Sequence, residues 1–282
     1  MSVEDDLLFW LSIVVYTLSI IACIFSLLIY IFAKHLRIYP FKLVFWLNLF
    51  DLIRSLAQIF PVLYASIPQD ICSATAFFYV FSCFETNYWS LIIAYTIYQV
   101  LVKKNFNVES KYKILIWFGL GSGILLSIIP IFFDSYGKIY LGCSLVQSFQ
   151  GEIFKLLIIY IPGLTIACIN TSIFVKVYFV LKNNENEIQE LEEINAEKLF
   201  YYPAILLLCL FPGMVMRIVE FARFNFIELT FLAYTTWGLQ GFFNALAYSL
   251  SKPVKEYISE CFCKKKGVIK VTDQSLIEID KS

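Results

Sequence analysis

The sequence holds one histidine, three methionines and few charges; 16% of its 282 residues are Asp, Glu, Lys or Arg, and the two signs balance at 22 each. Each shortage excludes a class of function. A hydrolytic metal centre gathers several His, Asp or Glu ligands around one ion, and the one imidazole, His35, lies in a connecting loop. No resident metal or cofactor is therefore expected, and the chain does not read as an enzyme. Without a basic excess there is no electrostatic footprint for nucleic acid. The last apolar run, Glu228 to Leu250, contains no lysine, so it has no amine for a retinal Schiff base. The two halves of the chain also lack the self-similarity that a repeat-built seven-helix transporter, the alternative reading, would show.

What is abundant is apolar surface: 60% of residues are hydrophobic and 18% aromatic. A water-soluble fold could not hide that much. Leu7 to Ala33 runs without a charged residue, and at 1.5 Å per residue it spans roughly 40 Å, enough to cross a bilayer with tilt. Acidic rather than basic residues precede it (Glu4, Asp5, Asp6), and no small-residue cleavage site follows, so the expectation is an uncleaved first helix. Six more helices are expected at Phe41–Ile67, Cys72–Val102, Lys113–Phe133, Ile153–Leu181, Leu199–Phe221 and Glu228–Leu250. The predicted class is an all-α membrane protein, a seven-transmembrane-helix bundle over residues 1–260, followed by a short flexible tail over 261–282.

Loop charges set the expected orientation. Seventeen Lys and Arg residues fall on one side, among them Lys103, Lys104, Lys198 and Lys255, and three on the other (Lys138, Lys155 and Arg223). The N-terminus is therefore expected outside the cell membrane and the C-terminus in the cytoplasm. The acidic loop Asn183 to Glu197 reads as solvated extensions of its flanking helices, with Glu190 and Glu193 on one face. Past Leu250, Pro253 opens an amphipathic stretch to Phe262 that suits a helix lying along the inner leaflet. Its Cys261 and Cys263 are available for palmitoylation, and Lys264 to Lys266 for anionic lipid.

Of the eight cysteines, Cys23, Cys83, Cys168 and Cys209 fall inside predicted helices and read as small apolar packers. Cys72, at the outer mouth of helix three, and Cys143, in the longest outer loop, both face the oxidising side and are expected to pair. Charges within apolar helices cost about 2.5–3.5 kcal/mol at mid-membrane, so they should face the bundle interior. Asp51 and Arg54 are spaced to pair on helix two and read as a structural switch; Glu85, Arg217 and Glu220 read as ligand-pocket residues. Pro61, Pro130, Pro162, Pro203 and Pro212 bend their helices, and Pro212 is the expected hinge.

Tyr202-Pro203, Cys209-Leu210-Phe211-Pro212-Gly213 and Arg217-Ile218 resemble the sixth helix of the cyclic-AMP receptor-like family of G-protein-coupled receptors, and Leu239 to Tyr248 is similar to its seventh. Asn48 to Leu52 resembles the polar segment of helix two in such receptors, and Cys72 with Cys143 matches their usual disulfide. Asn244 and Tyr248 stand where a looser Asn-x-x-x-Tyr switch would lie, with Ala245 in place of proline. Tyr95 to Tyr98 lacks the acidic-Arg-Tyr triplet of rhodopsin-like receptors, which moves the chain away from that class. The resemblance implies a receptor that passes an extracellular small-molecule or peptide signal to a heterotrimeric G protein, with Lys103, Lys104 and Lys255 as candidate contacts.

Overall fold

The computed structural model describes residues 3–64, 67–105, 107–139, 142–183, 201–221 and 226–264. Helix α1 (Val3–Phe32) and α2 (Tyr39–Leu63) are joined by a single 3-10 turn, Lys34–Leu36. Pro40 occupies the first turn of α2, where its missing N–H costs nothing. That helix stops at Leu63, four residues before the expected Ile67, and Tyr64 turns to extended geometry. Pro68 follows as the N-cap of α3 (Gln69–Leu101) and disfavours a helical Ile67. Helix α4 (Tyr112–Ile128) tightens into 3-10 turns over Ile129–Phe133, beginning where Pro130 interrupts the ladder.

Among the described residues, four helical segments are long and apolar enough to cross a membrane: Asp6–Phe32, Tyr39–Leu63, Glu109–Phe133 and Phe149–Val180. Helix α3 falls short of that mean hydropathy because it is the central strut. Its Ser82, Glu85, Thr86, Asn87, Ser90 and Thr96 are all buried against neighbouring helices rather than facing outward. By contrast α4 exposes Ile114, Trp117, Phe118 and Leu125, an apolar face suited to lipid.

The segment from Asp134 to Gln147 is not plain loop. Strands β1 (Tyr136–Ile139) and β2 (Gly142–Leu145) pair antiparallel with Tyr136 opposite Leu145 and Lys138 opposite Cys143. A Cys72–Cys143 disulfide pins this hairpin to α3, with Cα atoms 5.3 Å apart. Tyr136, Cys143 and Leu145 bury themselves against Cys72, Ala76 and Val80. The Tyr136 hydroxyl donates to the Ser127 carbonyl at 2.8 Å, and burial holds that phenol above its ordinary pKa.

Ser148 then caps α5 (Phe149–Phe154), accepting from the Gly151 amide at 3.1 Å. The chain widens to π-helix over Lys155–Tyr160 and returns to regular helix in α6 (Ile161–Asn183). Pro162 has no N–H to give to the carbonyl one turn back, which favours that widening. Helix α7 (Tyr201–Phe221) carries Pro212 within it.

The expected last helix is two helices, α8 (Ile227–Gly238) and α9 (Gln240–Ser249). The cause is a side chain inserted into the backbone ladder. Ser19 of α1 donates to the Gly238 carbonyl at 2.5 Å and accepts from the Phe242 amide at 3.2 Å, the two groups that would otherwise bond each other. Helix α10 (Lys252–Lys264) follows and runs past the expected domain boundary at residue 260. It leans on the α1–α2 turn through His35 and Tyr257, ring centres 5.5 Å apart. A hydrogen bond to Cys261 raises the Tyr257 phenol above its usual pKa. Of the cysteines expected to pack inside, Cys23, Cys83 and Cys209 are buried, but Cys168 is exposed on α6.

The α8–α9 break brings two glycines against α1 and α2. A Cβ on Gly241 would sit 2.9 Å from Cys23 Sγ and 3.1 Å from Asp51 Cβ, whereas one on Gly121, on the open face of α4, meets nothing within 4 Å. Gly241→Leu is therefore expected to cost about 1–3 kcal/mol by overpacking, and Gly121→Ala to fall within about 0.5 kcal/mol of neutral or better. Thermal unfolding of the purified protein in detergent checks both; equal effects would show that the close approach carries no constraint.

Candidate functional site

Asp51 and Arg54 lie one turn apart on α2 and point into the bundle, their side chains 0% and 2% exposed. Arg54 Nη2 is 3.0 Å from Asp51 Oδ1. A buried pair of this kind survives desolvation only if most of its remaining hydrogen-bonding positions are also filled, and here other helices fill them, except that Arg54 Nε has no partner among the described residues. Arg54 Nη1 donates to Gln240 Oε1 of α9 at 2.7 Å. Asn244 Nδ2 donates to Asp51 Oδ2 at 2.7 Å, and Thr86 of α3 faces Asp51 Oδ1 at 3.4 Å. The guanidinium also lies 5.6 Å from the centre of the Trp237 ring, with Nη2 3.5 Å from the Trp237 carbonyl oxygen. That carbonyl adjoins the break after Gly238 and also accepts from the Leu239 amide.

Above this node is a cavity of about 220 Å³. The hairpin roofs it with Ile139 and Ser144, and Gln147 follows at its edge. Tyr16, Gln58 and Tyr79 line it from α1, α2 and α3; Lys155, Ile159 and Tyr160 line it from the π-helical stretch. Leu210, Gly213, Met214 and Met216 contribute from α7, and Thr230, Ala233, Tyr234 and Trp237 from α8. This is a small site by the roughly 300–1,000 Å³ usual for drug-sized ligands.

Trp237 belongs to both features. Its ring faces the cavity and stacks near Arg54, and an added Cβ on Gly213 would lie 4.0 Å from Trp237 Cε3. Gly213 directly follows Pro212, the proline inside α7. Three residues before that proline, the Cys209 carbonyl accepts from the Thr236 hydroxyl of α8 at 3.3 Å.

The residues expected in the site are distributed as follows. Asp51, Arg54 and Asn244 meet in the node. Tyr248 is buried one turn below Asn244, with Phe41 edge-on at 5.4 Å between ring centres; its hydroxyl has no hydrogen-bond partner among the described residues. Glu85 does not line the cavity. It faces α4, where its carboxyl lies against Gly123, and it accepts from Trp89 Nε1 at 3.1 Å. Helix α7 includes Arg217 and Glu220, but their side chains lie outside the described ones, as does that of Cys263. Cys261 is exposed on α10, as is Lys255, whose amide bonds the Ser251 carbonyl. Lys103 and Lys104 follow the end of α3 at the same pole of the bundle; Lys104 takes a positive φ of 52°.

Sequence reading missed Trp237, Gln240, Ser19 and Lys155. Lys155 was counted among loop charges, yet it is buried on the cavity wall. Pro162, seven residues on, was a usable signal for irregular helix there. The two glycines bracketing Leu239-Gln240 were a signal for close packing. For Ser19, a serine inside an apolar helix, no local signal marks its partner more than two hundred residues away.

No family model matches the chain. It is 26% identical over 262 residues to G-protein coupled receptor 1 of Arabidopsis thaliana, covering 86% of this chain and 78% of the relative. It is 25% identical over 276 residues to Cyclic AMP receptor-like protein A of Dictyostelium discoideum, covering 94% and 71%. Cyclic AMP receptor-like protein G of the same organism is 28% identical over 162 residues, 52% of this chain and 28% of that one. The resemblance seen in α7 and α8–α9 thus extends over most of the chain and is to receptors of the cyclic-AMP receptor-like, G-protein-coupled type.

The node predicts a non-additive mutational pattern. Asp51→Leu or Arg54→Met alone strands the partner's charge and should cost about 3–5 kcal/mol. The Asp51→Leu/Arg54→Met double variant should recover most of that loss in thermal unfolding. A double variant no more stable than the worse single one would mean that the two charges do not act as a pair.

Proposed function

We propose that this protein is a seven-transmembrane G-protein-coupled receptor, with the hairpin outside the cell and α10 along the cytoplasmic leaflet. The seven spans are α1, α2, α3, α4, the α5–α6 segment, α7 and the broken α8–α9 pair. The loop charges support the orientation: the hairpin pole holds few cations and the α10 pole most of them. The ligand site is the cavity under the disulfide-pinned hairpin.

The observation that carries this reading is the position of Trp237, which lines the cavity, lies over the Arg54 guanidinium and borders Gly213, the residue after Pro212. A ligand that displaces the Trp237 ring changes the support of both neighbours at once. Release of Arg54 from the ring and the Trp237 carbonyl shifts the Asp51–Gln240–Asn244 network, and loss of the ring against Gly213 lets α7 pivot at Pro212. Such a ligand favours one of two packings by its differential affinity for them. The inner ends of α3 and α7 then part, and Lys103, Lys104 and Lys255 meet the G protein. Glu85, Arg217 and Glu220 remain proposed contributors, Glu85 through the α3–α4 contact rather than in the cavity wall.

A ligand screen on the full chain reconstituted with heterotrimeric G protein, reading nucleotide exchange, tests the assignment. With an active compound in hand, Trp237→Leu and Pro212→Ala should each lower stimulated exchange at least tenfold while surface level stays near that of the natural chain. Exchange unchanged in both variants would remove the Trp237–Pro212 route. Substrate flux into vesicles with no partner protein would replace the receptor reading by a transporter.

A further inference from the structure

Lys155 is the charged residue of the cavity wall among its described members. A lysine there is costly, since its side chain is only 9% exposed. Glu152 offsets part of that cost, accepting from Lys155 Nζ at 2.6 Å, but the Glu152 side chain is 54% exposed and sits on the rim. An ammonium has three N–H groups, and Glu152 engages one from the solvent side. The walls mix polar side chains, Gln58, Ser144, Gln147 and Thr230, with rings and thioethers, Tyr16, Tyr79, Met214 and Met216; the latter favour a flat unsaturated body over a flexible chain.

Resting on the reading of this cavity as the ligand site, we propose that it takes a small aromatic monocarboxylate. The carboxylate binds Lys155 in place of, or beside, Glu152. The ring lies among the tyrosines and methionines, with Trp237 closing the end towards Arg54. One ammonium with a carboxylate at its side suits a single negative charge; a phosphate dianion would call for convergent cations. The cavity's small volume sets the size at one or two fused rings.

The test uses the full chain in nanodiscs and three probes: naphthalene-2-acetic acid, its uncharged amide and octanoic acid. Binding is read by thermal unfolding and by quenching of tryptophan fluorescence. The acid should bind at least tenfold more tightly than either the amide or octanoate. Lys155→Met should abolish the preference for acid over amide, and Lys155→Arg should keep it, which separates loss of charge from misfolding. Equal binding of acid and amide, a preference surviving in Lys155→Met, octanoate matching the aromatic acid, or no binding of any probe would each overturn the proposal. Acid-selective binding with no effect on G-protein nucleotide exchange would keep the carboxylate site and remove the receptor reading. Exchange driven by an uncharged ligand, with no acid preference, would do the reverse.

Discussion

A guanidinium and a carboxylate held 3.0 Å apart in an apolar interior set the terms for the rest of this structure. Taking either ion out of water costs several kcal/mol, and mutual attraction offsets that only when the remaining donors and acceptors are engaged. Asp51 and Arg54 cannot do this from α2 alone. They draw Thr86 from α3 and Gln240 and Asn244 from α9, which fixes where the last helix lies and how closely it approaches. Gly241 follows from that requirement, since a Cβ there would press on Asp51 itself. The break that Ser19 makes after Gly238 serves the same node, since Arg54 Nη2 lies 3.5 Å from the adjoining Trp237 carbonyl.

The opposite demand operates at the hairpin end. There the disulfide and the buried Tyr136 and Leu145 hold a two-stranded lid over the bundle mouth, leaving a cavity instead of a filled core. The π-helical stretch before Pro162 turns a lysine into its wall. One pole of the molecule is thus packed around a compensated charge and the other around space. Trp237 is the residue at which the two meet, which is why a ligand in the space can be felt by the charge.

Much of this arrangement was legible in advance. Apolar runs marked the helices because a backbone in a lipid-like interior must satisfy itself. The i, i+3 spacing of Asp51 and Arg54 marked a local pair, and Cys72 and Cys143 stood out because the other cysteines lay within helices or at the far terminus. Glu85 faces α4, a direction that a buried carboxylate in mid-helix does not reveal in sequence; it is set by α4, whose Gly119 and Gly123 admit Tyr88 and Glu85. Lys155 was misjudged because loop charges and wall charges look alike until the helix between them is known to widen.

Composition and periodicity by themselves determined that this chain is a helical membrane protein with polar residues turned inward, since those properties depend only on local backbone geometry and on solvent. The residues of α7 and α9 pointed to its receptor relatives for the same reason: they are contiguous in sequence. Tertiary structure alone decided that Ser19 splits the last helix, that a hairpin roofs a cavity, and that Trp237 joins the cavity to Arg54. Each of these is a contact between groups far apart in the chain, and its geometry exists only when several helices are packed at once.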